Sequence, residues 1–139
     1  WRADLIERAA KFLQRANKQK CMGRFQLEAA IQAVHCDRRR TGVTDWRALA
    51  ALYEGLIAIA PSAGAHVARA AAVGEAFGPH AGLAALGDVP ATQTHQPYWA
   101  TRAALLKAVG QDADQAYAKA ISLSTDPRVR RFLQQKQAE

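Results

Sequence analysis

Few residues in this chain are of types that do chemistry, and their spacing keeps them apart. The four histidines, His35, His66, His80 and His95, fall in different segments, and neither a His-x-x-x-His nor a Cys-x-x-Cys spacing occurs. A zinc site needs several such ligands converging, so none is expected. His35 and Cys36 are adjacent, but neighbours on a helix point about 100° apart, which separates rather than pairs them. Cys21 stands among Lys18, Lys20 and Arg24, surroundings that favour a thiolate, although an ordinary exposed thiol is the simpler reading. The chain has no glycine-rich phosphate loop, no nucleophile elbow and no pair of acids on one helix face. The expectation is therefore no enzyme, with no catalytic residue, cofactor or metal. What remains are polar side chains in apolar surroundings: Gln26, Arg69 and Arg102. Gln26 interrupts an apolar arc and must satisfy its amide, either as a bracket to backbone near the helix start or as a ligand contact. Arg69 is alone among alanines and is expected to bond carbonyls at neighbouring helix ends or an acid such as Glu28 or Glu54, in a scaffolding or a recognition role.

Eight helical segments joined by short turns are expected to position these residues. The first spans roughly residues 2 to 18, with Leu5, Ala9, Phe12, Leu13 and Ala16 on one face. The second opens after Gly23. It confines Glu28, Gln32 and His35 to a narrow polar strip, while Phe25, Leu27, Ala29, Ala30, Ile31, Ala33 and Val34 cover the rest, so it should be covered on more than one side. The third follows Thr44 as N-cap, with Asp45 in the first turn. Its wide face is Trp46, Leu49, Ala50, Tyr53, Leu56, Ile57 and Ala60, and Ala51, Gly55 and Ala58 form a narrow second face open to close approach. Pro61 and Ser62 lead into an alanine-rich fourth segment, expected in the middle of the stack. Gly78-Pro79 opens a short fifth with Leu83 and Leu86, and residues 87–96 form the longest irregular stretch. Pro97 lies in the first turn of the sixth, where its missing N–H has no partner to lose. Gly110 ends that segment, Asp112 or Asp114 begins the seventh, and Asp126-Pro127 opens the eighth, with Val129, Phe132 and Leu133 inward and a fraying end.

Half of the 139 residues are apolar, yet only 7% are aromatic. Abundant alanine favours close-packed helices over sheets, so the fold class is all-α. The net charge of +7 raises the question of nucleic acid. The basic residues, however, spread over the first segment, Arg38-Arg39-Arg40 and the last segment, without interleaved aromatics, so solvated charge suited to helix C-termini is the simpler account. No apolar run approaches the ~20 residues that span a bilayer. The chain starts at Trp1 with no signal-like stretch, from which a piece of a longer protein is expected. Cys21 and Cys36 lie at opposite ends of one helix, too far apart to join, and are expected reduced, hence a cytoplasmic location.

The proposed segments start near residues 45, 79 and 112, and alternately near 63, 97 and 127, an offset close to the tetratricopeptide period of about 34 residues. Trp46-x2-Leu49-Ala50-x2-Tyr53 resembles the opening of that repeat, with alanine where glycine is usual. Trp99-x2-Arg102-Ala103-x2-Leu106 is a weaker copy. The expectation is a 1–139 helical domain, with an N-terminal helix pair over 1–43 and degenerate repeats over 44–139.

Four stretches carry a wider resemblance: Gly23 to His35, Asp45 to Tyr53, Gln96 to Leu106, and Ala120 to Leu133. Together they resemble the C-terminal extension of a group of bacterial extracytoplasmic-function RNA polymerase sigma factors, a likeness running nearly the whole length. The resemblance implies stacked antiparallel helix pairs in a tetratricopeptide-like right-handed superhelix of about eight helices. It also implies a regulatory, protein-binding role in transcription initiation, with the promoter-binding sigma domains absent from this chain. The implied partners are the sigma half of the same polypeptide, and through it RNA polymerase, or a regulatory protein; promoter DNA would be bound by the parent. Relatives carry Asn-Arg-Ala where this chain has Ala68-Arg69-Ala70. Trp99 and Arg102 match them, and could line a groove or fill a helix interface. The alternatives are a basic helical module touching nucleic acid directly, and a ligand-sensing helical domain.

Overall fold

In the computed structural model of the chain, alanine-rich stretches punctuated by capping residues form eight α-helices among the described residues. They are α1 (Arg2–Ala16), α2 (Lys20–Thr41), α3 (Trp46–Ile59), α4 (Ala63–Phe77), α5 (Pro79–Gly87), α6 (Gln96–Ala108), α7 (Asp114–Leu123) and α8 (Pro127–Ala138). The structure describes residues 2–16, 20–89 and 94–139, and no strand occurs among them. The side chains of Phe12, Leu13, Ala16 and Cys21, together with Lys18 and residues 90–93 of the long connection, lie outside the described residues. The all-α expectation stands. Among the described residues no helix is long and apolar enough to cross a membrane.

Side-chain caps place several of the boundaries. Ser62 accepts from the Ala65 N–H at 3.1 Å and starts α4, and Asp126 accepts from the Arg128 N–H at 2.9 Å and starts α8. The cap of α3 is Asp45, not Thr44: its Oδ1 accepts from the Ala48 N–H at 3.1 Å. A carboxylate serves better than a hydroxyl there because it meets the orphan N–H and the positive helix end together. Gly23 does not precede α2 but lies buried inside it. A glycine in a helix costs about 1 kcal/mol relative to alanine.

Each helix packs against the next in the chain; α1 also meets α3, and α4 also meets α6. The α3–α4 pair is antiparallel, since Arg47 at the start of α3 lies 5.1 Å above the ring of Phe77 at the end of α4. From α3 to α8, alternate helix starts recur within about three residues of the ~34-residue tetratricopeptide period, whereas α1 and α2 stand outside it. The apolar side chains gather in three successive clusters. Leu27, Ile31, Val34, Leu49 and Leu52 centre the first, Val67, Ala70, Leu86, Tyr98 and Leu105 the second, and Ala103, Tyr117, Ala120 and Leu133 the third. Helix α4 contributes Ala65 and Ala72 to the first cluster and Val67 and Ala70 to the second, as its mid-stack position requires.

Three expected faces are narrower than the sequence suggested. On α2, Phe25, Ala29 and Ala33 are exposed, and only Leu27, Ile31 and Val34, at helical spacing, are buried together. On α3, Gly55 is buried as expected but Ala58 is exposed. On α8, Leu133 is buried while Val129 and Phe132 stay 39% and 56% exposed. This helix ends the stack and has a neighbour, α7, on one side.

Helices α4 and α5 approach each other closely. A Cβ on Gly82 would stand 2.8 Å from the Gly74 Cα, 2.9 Å from Leu105 Cδ2 and 3.2 Å from the Ala70 carbonyl oxygen. The first and last of these are backbone atoms and cannot turn aside, so Gly82→Ala must spread two helices. It is expected to destabilise the chain by about 2 kcal/mol in urea unfolding, the scale of core overpacking. Gly64, in the first turn of α4, has nothing within 4 Å of its would-be Cβ. Gly64→Ala is expected to stabilise by about 0.5 kcal/mol through unfolded-state entropy. Equal effects of the two would contradict the close approach.

Candidate functional site

Helix α6 borders two open clefts on largely opposite sides. At ~100° per residue, Ala100, Thr101, Ala104, Leu105 and Ala108 share one side, and Tyr98, Trp99, Arg102 and Leu106 share the other. The first group, with Trp46, Ala71, Gly74, Glu75 and Pro79, lines a mostly apolar cleft of about 490 Å³. Short side chains make this cleft, and Trp46 and Leu105 give it bulky walls. Leu105, whose Cδ2 closes over Gly74 and Gly82, also lines this cleft.

The second group, with Gln111, Asp112, Gln115 and Ala116, lines a mixed polar and apolar cleft of about 570 Å³. It opens between α6 and the turn into α7. Tyr98 is buried, and its ring meets Trp99 edge to face, with centroids 5.2 Å apart and planes at 84°. Such a pair fixes the indole by about 0.5–1.5 kcal/mol beyond its buried area. Arg102 is half-buried and forms no ion pair or side-chain hydrogen bond with a described residue. Asp112 shares the cleft, but its Oδ1 accepts from the Asp114 N–H at 3.0 Å, closing the turn before α7.

Of the four candidate residues, the structure brings Trp99 and Arg102 together in this second cleft, while Gln26 and Arg69 line neither. Gln26 is half-buried near the start of α2 and makes no side-chain hydrogen bond with a described residue, so the expected bracket is not formed. Arg69 is half-buried and reaches neither expected acid. Glu28 pairs instead with Arg24, four residues earlier on its own helix, at 3.1 Å, and Glu54 is exposed. An i,i+4 partner is already aligned, which costs less side-chain entropy than a contact between helices. Sequence reasoning missed Gln111, Asp112 and Gln115. Their signal was the polar run straight after Gly110, at the mouth of the Trp99–Arg102 face.

Behind the second cleft, Lys107 clamps the end of the stack: its Nζ donates to the Lys136 carbonyl on α8 and lies 5.9 Å over the Tyr117 ring on α7. Among the described residues no group of three or more His, Cys, Asp or Glu side chains is placed to hold a metal ion. Cys36 is an exposed free thiol on α2.

The chain is 32% identical over 129 residues to an uncharacterized protein of Rhizobium meliloti (strain 1021). That alignment takes in 91% of this chain and 30% of the relative, so the chain spans less than a third of the relative's length. No protein-family profile and no solved structure matches the chain.

Burial first, and then the negative charge of Glu139, push the Tyr117 phenol above its ordinary value of 10.0. The folded chain thus holds the neutral phenol more strongly than the unfolded chain does. The associated stability is fully present below pH 10.0 and is lost as pH rises through the folded-state value. Melting temperature should therefore fall on raising pH above that point, and Tyr117→Phe should flatten the fall. An identical alkaline decline in both proteins would show that Tyr117 does not drive it.

Proposed function

We propose that this chain is the C-terminal regulatory domain of an extracytoplasmic-function sigma factor, acting in the cytoplasm by binding protein during transcription initiation. The observation that carries this reading joins sequence to geometry. Two of the four stretches through which the chain resembles those sigma-factor extensions reach the clefts: Trp46 borders the apolar one, and Tyr98, Trp99, Arg102 and Leu106 border the mixed one. Tyr98 also belongs to the second apolar cluster, and Trp46, Trp99 and Leu106 pack against the clusters, whereas Arg102 belongs to none of them. Both clefts are open volumes large enough for a polypeptide segment from outside this domain.

In this reading the partner is the promoter-binding half of the same polypeptide, and the DNA contacts belong to that half. The clefts act by preferring one arrangement of it. A domain that binds both arrangements equally shifts nothing, so regulation requires differential affinity. A helical stack suits this task because successive hairpins present a long surface held by short-range packing.

Calorimetric titration of the chain with the separately expressed upstream half is expected to give saturable binding at micromolar concentrations. Ala104 is exposed and lines the apolar cleft. Ala104→Lys should weaken that binding about tenfold, the cost of desolvating a charge against apolar walls, while leaving the melting temperature nearly unchanged. In the full-length protein it should alter promoter-directed transcription by a similar factor. Absence of binding at high micromolar concentration, or an upstream half unrelated to sigma domains, would overturn the assignment. Binding to duplex DNA by this chain alone, weakening steeply with salt, would favour direct nucleic-acid contact instead.

A further inference from the structure

The mixed cleft has a more specific chemistry than a general docking surface. Arg102 lines it, a half-buried residue with no ion pair or side-chain hydrogen bond to a described residue. A guanidinium presents planar paired donors that match a carboxylate or a phosphate. Asp112 lines the same volume, and its negative charge penalises a doubly charged phosphate more than a singly charged carboxylate. Beside Arg102 lie Trp99 and Leu106, an aromatic and an aliphatic surface. Gln111 and Gln115 also line it, and their amides both donate and accept and so suit peptide N–H and C=O groups. At about 570 Å³ the cleft exceeds the room needed for one side chain.

We propose that this cleft binds an extended polypeptide segment in which an acidic side chain adjoins an apolar one. The carboxylate pairs with Arg102, the apolar group lies against Trp99 and Leu106, and the segment's backbone meets Gln111 and Gln115. This deepens the proposed function by naming the sequence chemistry of the bound partner, and it rests on the reading of the chain as a protein-binding domain.

The test uses the full 139-residue chain, isotopically labelled, in magnetic-resonance titrations. The probe is a short end-blocked peptide alternating glutamate and leucine; the controls are its glutamine counterpart, inorganic phosphate and a duplex DNA. The glutamate peptide should shift the Trp99 indole and Arg102 side-chain signals with a submillimolar dissociation constant. Its glutamine counterpart should bind about tenfold more weakly, the scale of one charge-assisted hydrogen-bonded pair. Arg102→Gln should lose the same factor. Asp112→Asn keeps a side-chain oxygen for the Asp114 N–H but removes the charge, and should tighten binding about threefold. Should Arg102→Gln unfold, the opposite-signed effect of Asp112→Asn decides the matter. Equal binding of the two peptides, an unchanged affinity in either variant, or phosphate or DNA binding at Arg102 more tightly than the glutamate peptide would each overturn the proposal. Such a failure leaves the sigma-factor assignment standing, because that is read from the upstream half and from transcription. Peptide binding without affinity for the upstream half would remove that assignment and leave the cleft's specificity intact.

Discussion

The structure turns on the place where α4 and α5 cross without side chains between them. Gly74 and Gly82 meet backbone to backbone, and Leu105 of α6 closes over the pair. A side chain at either glycine would enter that contact, because Leu105 Cδ2 lies within 3.0 Å of a Cβ built on each. The three helices are therefore locked by the absence of two methyl groups and the presence of one leucine. Dispersion attraction is weak per atom pair, but close approach multiplies the pairs, and a gap of an ångström would forfeit much of it. Short side chains serve the same purpose nearby, where Ala70 and Ala72 of α4 are buried in adjoining clusters.

That junction also sets the site, because α6 is the helix it positions. Leu105 faces the glycines, which turns Ala100, Thr101, Ala104 and Ala108 toward one cleft and Trp99, Arg102 and Leu106 toward the other. Moving α6 would alter both clefts at once. Ala103, fully buried, fixes the remaining side of α6 against the third cluster with Tyr117 and Ala120. Lys107 then ties the end of α6 to α7 and α8. Cleft lining and packing thus share one helix, and its rotation is determined by the residues that face inward.

Much of this order was legible in the sequence because local physics fixes it. Ser62, Gly78-Pro79, Pro97 and Asp126-Pro127 mark helix starts through capping or ring geometry, and each start lies where those residues place it within one residue. Periodicity located Leu27, Ile31, Val34 and Leu49 in the core. What the sequence hid depends on partners distant along the chain. Gly23 reads as a break but lies buried within a helix, since its surroundings cannot be inferred from its neighbours in sequence. Phe132 reads as core because its spacing is right, yet α8 ends the stack and leaves it half exposed. Arg69 draws attention by contrast with its alanines, whereas Arg102, in ordinary company, stands in a cleft. The Gly74–Gly82 contact joins residues in two helices with a leucine from a third, a conjunction that no local pattern announces.

The central proposal is that the volumes beside α6 hold a polypeptide segment from outside this domain. A photoactivatable cross-linking side chain placed at Ala108, which is exposed and lines the apolar cleft, tests it most directly in the full-length protein. The same group at Ala118, exposed on α7, is the control. The account predicts a discrete covalent product at Ala108 that maps to the promoter-binding half, and little product at Ala118. Equal yields at the two positions, or no product at Ala108, would contradict it.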